Sequence, residues 1–250
     1  MYGTERYQFG DLYVPAGAGP HPVVIGIHGG FWRSAYGLDY YGPLCAALAQ
    51  AGVAAWNIEY RRIGNRGGGW PNTLLDAARA ADSLRELAPA HALDLSRIVT
   101  MGHSAGGHLA FWLGARHKLQ PGSPLYMESP IALKGVVSLA GVLDLRRAYE
   151  LRLGGGVTQE LLGGSPASAP ERYAAASPYE LLPLGIAQAV VHGTEDVNVP
   201  YEIATRYADA ARKAGDPVSL LSQNGAGHFE CVDAGTREWA AVQAAIMELI

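Results

Sequence analysis

The sequence holds only two cysteines in 250 residues, Cys45 and Cys231, and they lie far apart. That is too few for a disulfide framework, so both read as free thiols of a reducing compartment. Charge is sparse: 17% of residues are charged, and 19 basic against 23 acidic side chains leave a net charge of −4. No Lys/Arg stripe is present, which argues against nucleic acid as a partner. No apolar run approaches the roughly 20 residues that cross a bilayer. Met1 to Arg6 lack a basic segment followed by an apolar one. No membrane partner and a cytoplasmic location are therefore expected. His-Glu-x-x-His, Cys-x-x-Cys, EF-hand and Walker A patterns are all missing, so neither a metal nor a cofactor is expected. There is no internal repeat and no low-complexity tract.

What is present is apolar and evenly punctuated. Residues of the apolar class make up 49% of the chain, enough for a large core in a single domain spanning 1–250. Short β-rich runs occur at 23–27, 53–58, 98–101, 136–139, 189–191 and 218–221. They show little polar alternation, as central parallel strands covered on both faces do. Helical stripes lie between them. One opens at Pro71 and carries Leu74, Leu75, Ala78, Ala81 and Leu84; another opens at Pro200 and stops at Gly215; the last carries Trp239, Val242, Ile246 and Leu249. This alternation predicts an α/β fold, a mostly parallel sheet with helices on both faces. The segment around 5–14 precedes any long helix and suits an antiparallel edge.

Four motifs carry chemistry, and each follows a predicted strand. Gly102-His103-Ser104-Ala105-Gly106-Gly107 sits between the strand at 98–101 and an apolar helix. A serine on such a tight strand-to-helix turn projects its hydroxyl into a cleft, and the helix dipole favours negative charge beside it. The bland reading is a glycine-rich turn with a capping serine. His28-Gly29-Gly30-Phe31-Trp32 follows strand 23–27, and its glycines leave backbone N–H groups unshielded, as an oxyanion hole needs. Ala105 N–H is the expected second donor. His192-Gly193-Thr194-Glu195-Asp196 follows strand 189–191, and Gly225-Ala226-Gly227-His228-Phe229 follows strand 218–221. The order Ser104, Asp196, His228 is that of a nucleophile, an orienting carboxylate and a base. Glu195 and Asp144 are rivals for the carboxylate. Asp144 reads better as a turn or capping residue. His28 and His103 read as structural. Trp32, Tyr36, Trp70 and Phe229, with Tyr40 and Tyr41, are aromatic candidates for a substrate pocket or for core.

With these motifs spread over most of its length, the chain resembles an α/β-hydrolase-fold serine hydrolase. The His28-Gly29-Gly30-Phe31-Trp32 run is similar to the HGGxW element of kynurenine formamidases and their small carboxylesterase relatives. The resemblance implies Ser104 as nucleophile, Asp196 and His228 as its partners, and Gly30, Phe31 and Ala105 N–H groups as the oxyanion hole. It implies no metal and no cofactor. The segment 145–186 is too short for a large lid domain, so an open cleft is expected. The first reading is a carboxylesterase of small esters working through an acyl-enzyme. The alternative is an arylformamidase acting on N-formyl-L-kynurenine, with Arg33, Arg61 or Arg62 as carboxylate partners. A weaker third is a binding protein that keeps the fold without activity. The partner is thus a small-molecule ester or formamide, and the assembly a monomer or homodimer.

Overall fold

The computed structural model describes residues 1–250. Seven strands are present: β1 (Gly10–Tyr13), β2 (His21–Ile27), β3 (Ala54–Ile58), β4 (Leu93–His103), β5 (Gly135–Leu139), β6 (Ala187–Gly193) and β7 (Val218–Gln223). They form one sheet in the order β1-β3-β2-β4-β5-β6-β7. Only β1 is antiparallel, pairing Gly10 with Ile58 and Tyr13 with Ala55 of β3. All other neighbours are parallel. Every residue of β2, β3 and β5 is buried, which is why those runs read as apolar without alternation.

The connections are helical: α1 (Gly42–Gln50), α2 (Asn72–Asp82), α3 (Leu84–His91), α4 (Ala105–Ala115), α5 (Leu145–Glu150), α6 (Val157–Leu162), α7 (Pro170–Ala176), α8 (Glu202–Lys213) and α9 (Arg237–Leu249). The period-2 geometry of the strands divides the core in two. Val23, Ile25 and Ile27 of β2 belong to one apolar cluster with Leu74, Leu109 and Ile203, from α2, α4 and α8. Val24, one residue out of step, belongs to a second cluster with Leu44 and Leu48 of α1 and Trp239 and Val242 of α9. Helices thus cover both faces of the sheet, and no strand builds a second one.

The stripe that opens at Pro71 predicts one helix through residue 88, but the structure breaks it at Ser83. The Ser83 hydroxyl donates to the Ala80 carbonyl at 2.8 Å, competing with the helical ladder and bending the chain there. Between β5 and β6 the three short helices α5, α6 and α7 form a small crest rather than a lid. It is tied to the loop after β2 where Arg33 pairs with Glu160 at 2.7 Å. It also accepts the Trp70 N–H at the Leu161 carbonyl, 2.8 Å away.

Four parallel strands, β2, β4, β6 and β7, end at the same edge of the sheet, where ligands bind in open α/β folds. The motifs at 28–32, 102–107, 192–196 and 225–229 all emerge there. The closeness of β2 and α4 depends on glycine. A Cβ on Gly106 would stand 2.0 Å from the Ile27 carbonyl oxygen and 2.5 Å from that of His28. We expect Gly106→Ala to destabilise the fold by about 3 kcal/mol or more, since backbone cannot yield as a side chain can. Thermal denaturation followed by circular dichroism checks this, and an unchanged Tm would contradict it.

Candidate active site

Ser104 sits between β4 and α4 with φ 54° and ψ −116°. A residue with a side chain pays heavily for this conformation, and close packing enforces it. A Cβ on Gly102 would lie 2.0 Å from the Gly106 carbonyl oxygen, so only glycine lets the turn close. The Ser104 N–H is fixed to the Leu139 carbonyl at 2.8 Å. The hydroxyl makes no hydrogen bond of its own. It faces a cavity of about 360 Å³ that His228 also lines.

Behind that cavity, His228 Nδ1 lies 2.6 Å from Asp196 Oδ2. The other carboxylate oxygen accepts the N–H groups of Asn198 and Val199 at 2.8 and 2.9 Å. His192 Nε2 stands 3.3 Å from Oδ2 while donating to the Val199 carbonyl at 2.8 Å. Burial alone would raise the Asp196 pKa. The hydrogen bonds from His192 and His228, the His228 charge and the Val199 N–H outweigh it and hold the carboxyl well below the usual range. Asp196 is therefore an anion aimed at His228. Its rivals sit elsewhere: Glu195 is exposed, and Asp144 caps α5 by accepting the Arg147 N–H at 2.9 Å.

The loop after β2 turns sharply. Gly30, Phe31 and Trp32 have φ of +105°, 51° and 54°, a left-handed run that turns successive amides into a concavity. The N–H groups of Gly30 and Phe31 are engaged by no protein acceptor. Ala105 is the first residue of α4, where a helix N–H has no partner within the helix. The Gly29 N–H is spoken for: it donates to the Tyr40 hydroxyl at 2.6 Å.

Phe31, Tyr36, Tyr40 and Phe229 supply the aromatic wall of the cavity. Tyr36 and Phe229 are 58% and 60% exposed, so they form a rim rather than a core. Two expected pocket residues do not line it. Trp32 is wholly buried, because its positive φ swings the ring inward to donate to His108 Nδ1 at 3.2 Å. Trp70 borders a separate depression beside Lys118 and Leu119, with the Arg172 guanidinium 5.8 Å from its ring centre. Tyr41 is core. Asn198 lines the cavity but was not among the sequence candidates. Its only sequence signal was its place two residues after Asp196.

The three candidate arginines are already committed. Arg61 pairs with buried Asp76 at 2.7 Å, Arg62 reaches Glu59 at 3.3 Å, and Arg33 is held by Glu160. His28 is sealed between the Gly29 carbonyl and Glu59, at 2.8 and 2.9 Å. Cys45 and Cys231 are both free and buried, and burial pushes each thiol up to about 12. No group of three or more His, Cys, Asp or Glu side chains is arranged to hold a metal ion. No helix is long and apolar enough to cross a membrane.

Residues 10–210 match the model of the family described as BD-FAE. The chain belongs to the BD-FAE family. Its fold is that of the α/β-hydrolases. A rice protein described as a probable isoprenylcysteine α-carbonyl methylesterase is 26% identical over 240 residues, 92% of this chain. This chain spans 57% of that relative's length. A propionate-bound esterase from Thermogutta terrifontis is 27% identical, with 95% of this chain and 85% of that one covered and a TM-score of 0.74. The esterase 2 structure from the same organism phosphonylated by sarin is 26% identical, with 95% and 86% covered and a TM-score of 0.75. The kynurenine formamidase likeness found no counterpart among these relatives.

Two further histidines of this BD-FAE member make its stability pH-dependent. Burial, followed by the His228 charge, pushes His103 down to about 3, and burial pushes His108 down to about 4. Unfolded, each binds a proton below its ordinary 6.5. The unfolded state therefore holds more protons between about pH 6.5 and pH 4, and stability rises with pH there. We expect Tm to be level above pH 7 and to fall steadily as the pH drops from 6.5 towards 4. A Tm unchanged between pH 7 and pH 5 would contradict this.

Proposed function

We propose that the protein is a carboxylesterase of small esters, with Ser104 as nucleophile, His228 as base and Asp196 as its orienting anion. The observation that carries this reading is the 2.6 Å contact of His228 Nδ1 with Asp196 Oδ2, behind a cavity shared by His228 and Ser104. The anion fixes the proton on Nδ1 and leaves Nε2 free to accept. His228 Nε2 takes the Ser104 proton as the oxygen attacks the ester carbonyl. The negative oxygen that forms is received by the N–H groups of Gly30, Phe31 and Ala105, each worth about 3 kcal/mol in such a site. His228 then gives its proton to the departing alcohol, and an acyl-enzyme remains. Water, deprotonated by the same histidine, releases the acid and regenerates Ser104.

The cavity of about 360 Å³ suits a short acyl group, in keeping with a relative that holds propionate. The exposed rings of Tyr36 and Phe229 would flank the departing alcohol. An arylformamidase must also hold an amino-acid carboxylate. Arg33, Arg61 and Arg62 are each paired with a protein carboxylate, so the ester reading is preferred.

The test compares kcat/KM for p-nitrophenyl acetate and N-formyl-L-kynurenine on one preparation, with Ser104→Ala as control. We expect ester turnover to dominate and to fall at least about 10³-fold in Ser104→Ala, with the fold intact. Formamide turnover exceeding ester turnover would transfer the reading to the formamidase. Activity surviving in Ser104→Ala would remove Ser104 from the chemistry.

A further inference from the structure

We infer that Tyr40 and His103 form a hydrogen-bonded brace that positions the base-bearing loop of His228 against the oxyanion loop, with Tyr40 as the residue that locks it. The inference rests on the serine-hydrolase reading and assigns a role to two side chains that the chemistry itself does not use.

The chain of contacts is continuous. The Gly29 N–H meets the Tyr40 hydroxyl at 2.6 Å. The same hydroxyl meets His103 Nδ1 at 2.9 Å. His103 Nε2 meets the His228 carbonyl oxygen at 3.0 Å. Only one arrangement of hydrogens satisfies all three. An amide N–H can only donate, so Tyr40 Oη accepts from Gly29. A carbonyl can only accept, so His103 carries its proton on Nε2. His103 is buried and burial disfavours its charged form, so Nδ1 is bare and must receive the Tyr40 O–H. Every donor has an acceptor, and every link runs the same way.

The links join two loops and the end of a strand. Gly29 begins the turn after β2, His103 closes β4 immediately before Ser104, and His228 lies beyond β7. Tyr40 comes from a fourth place, the 3-10 turn Leu38–Tyr41, and its ring meets Tyr41 edge-on at 5.9 Å. The His103 ring also packs against those of His228 and Phe229, at 4.6 and 5.5 Å. Removing the Tyr40 hydroxyl orphans the Gly29 N–H and His103 Nδ1 together. His103 keeps its proton on Nε2, where the His228 carbonyl still accepts it, but the ring is then held on one side only. The base loop would lose its tie through Tyr40 to the oxyanion loop.

The test is Tyr40→Phe, which keeps the ring and removes only the hydroxyl. We expect kcat for p-nitrophenyl acetate to fall about 10- to 100-fold, because catalysis tolerates little misplacement of the base, while KM stays within about threefold. Imidazole ¹⁵N spectra, assigned with His103→Gln, supply a readout that general loosening does not move. In the wild type, His103 should be the neutral Nε2–H tautomer from pH 5 to 8. In Tyr40→Phe the bare Nδ1 loses its donor, and its resonance should move downfield to that of an imine nitrogen without a hydrogen bond. A variant that keeps wild-type kcat, or that loses kcat with the His103 Nδ1 resonance unchanged, overturns the brace. So does a wild-type His103 that is protonated at Nδ1, and that result stands even if Tyr40→Phe fails to fold. A wild-type protein with no esterase activity would instead refute the serine-hydrolase reading, while the spectra still judge the tautomer that the brace requires.

Discussion

The molecule depends on a backbone that is uncomfortable at one residue. Ser104 is held at φ 54° and ψ −116°, a conformation that costs roughly 1–3 kcal/mol. It persists because nothing around it can relax. Gly102 and Gly106 interlock across the turn, and Gly106 rests on the end of β2. A Cβ on Gly107 would come within 2.7 Å of Gly141 Cα, in the loop after β5. Three elements close on the serine from three sides, and each approach is possible only because a glycine offers no Cβ. The order of the strands does the rest. β2 lies beside β4, so its outgoing loop brings the amides of Gly30 and Phe31 to the serine. β6 and β7 lie side by side, so Asp196 and His228 meet although 31 residues separate them in the chain.

Charge in this cluster is unevenly assigned, and the assignment suits the chemistry proposed. Several histidines stand near the cavity, yet one alone can serve as a mobile base. His103 and His108 are buried and neutral, each with Nε2 against a backbone carbonyl and Nδ1 facing a donor. His192 spends its Nε2 proton on the Val199 carbonyl and lies against the Asp196 carboxylate, which leaves its buried Nδ1 without a partner. Only His228 combines a charged partner on one nitrogen with a cavity on its other side. The anion that orients it is stabilised by four nearby N–H groups, so it holds its charge under conditions where an ordinary carboxyl would not.

The motifs around Ser104, Asp196 and His228 were legible in the sequence because their signals are local. A buried strand, a glycine and a chemically capable side chain follow one another within a few residues, and a parallel sheet sends all such strand ends to one edge. The antiparallel β1 was legible for a similar reason, since no crossover helix precedes it. What the sequence hid depends on the direction of single side chains. Trp32 and Tyr36 lie four residues apart and look alike as pocket candidates, yet positive φ at Trp32 turns one ring into the core while the other forms the rim. Trp70 looks like a pocket candidate by its type, but its backbone is drawn to the crest at Leu161. The break at Ser83 arises from one hydroxyl bonding back to Ala80, which periodicity cannot register. His103 lies in the serine motif but reads there as a structural residue, Tyr40 belongs to no motif, and their relation exists only once the chain has folded.

The most direct test of the central claim, that strained Ser104 is the nucleophile of the site, is labelling with a fluorophosphonate and peptide mapping by mass spectrometry. Residual esterase activity is followed in the same samples. The account predicts one adduct per chain, located on Ser104, with activity lost in step with its formation. An adduct on another residue, or undiminished turnover in protein whose Ser104 is fully labelled, would contradict it.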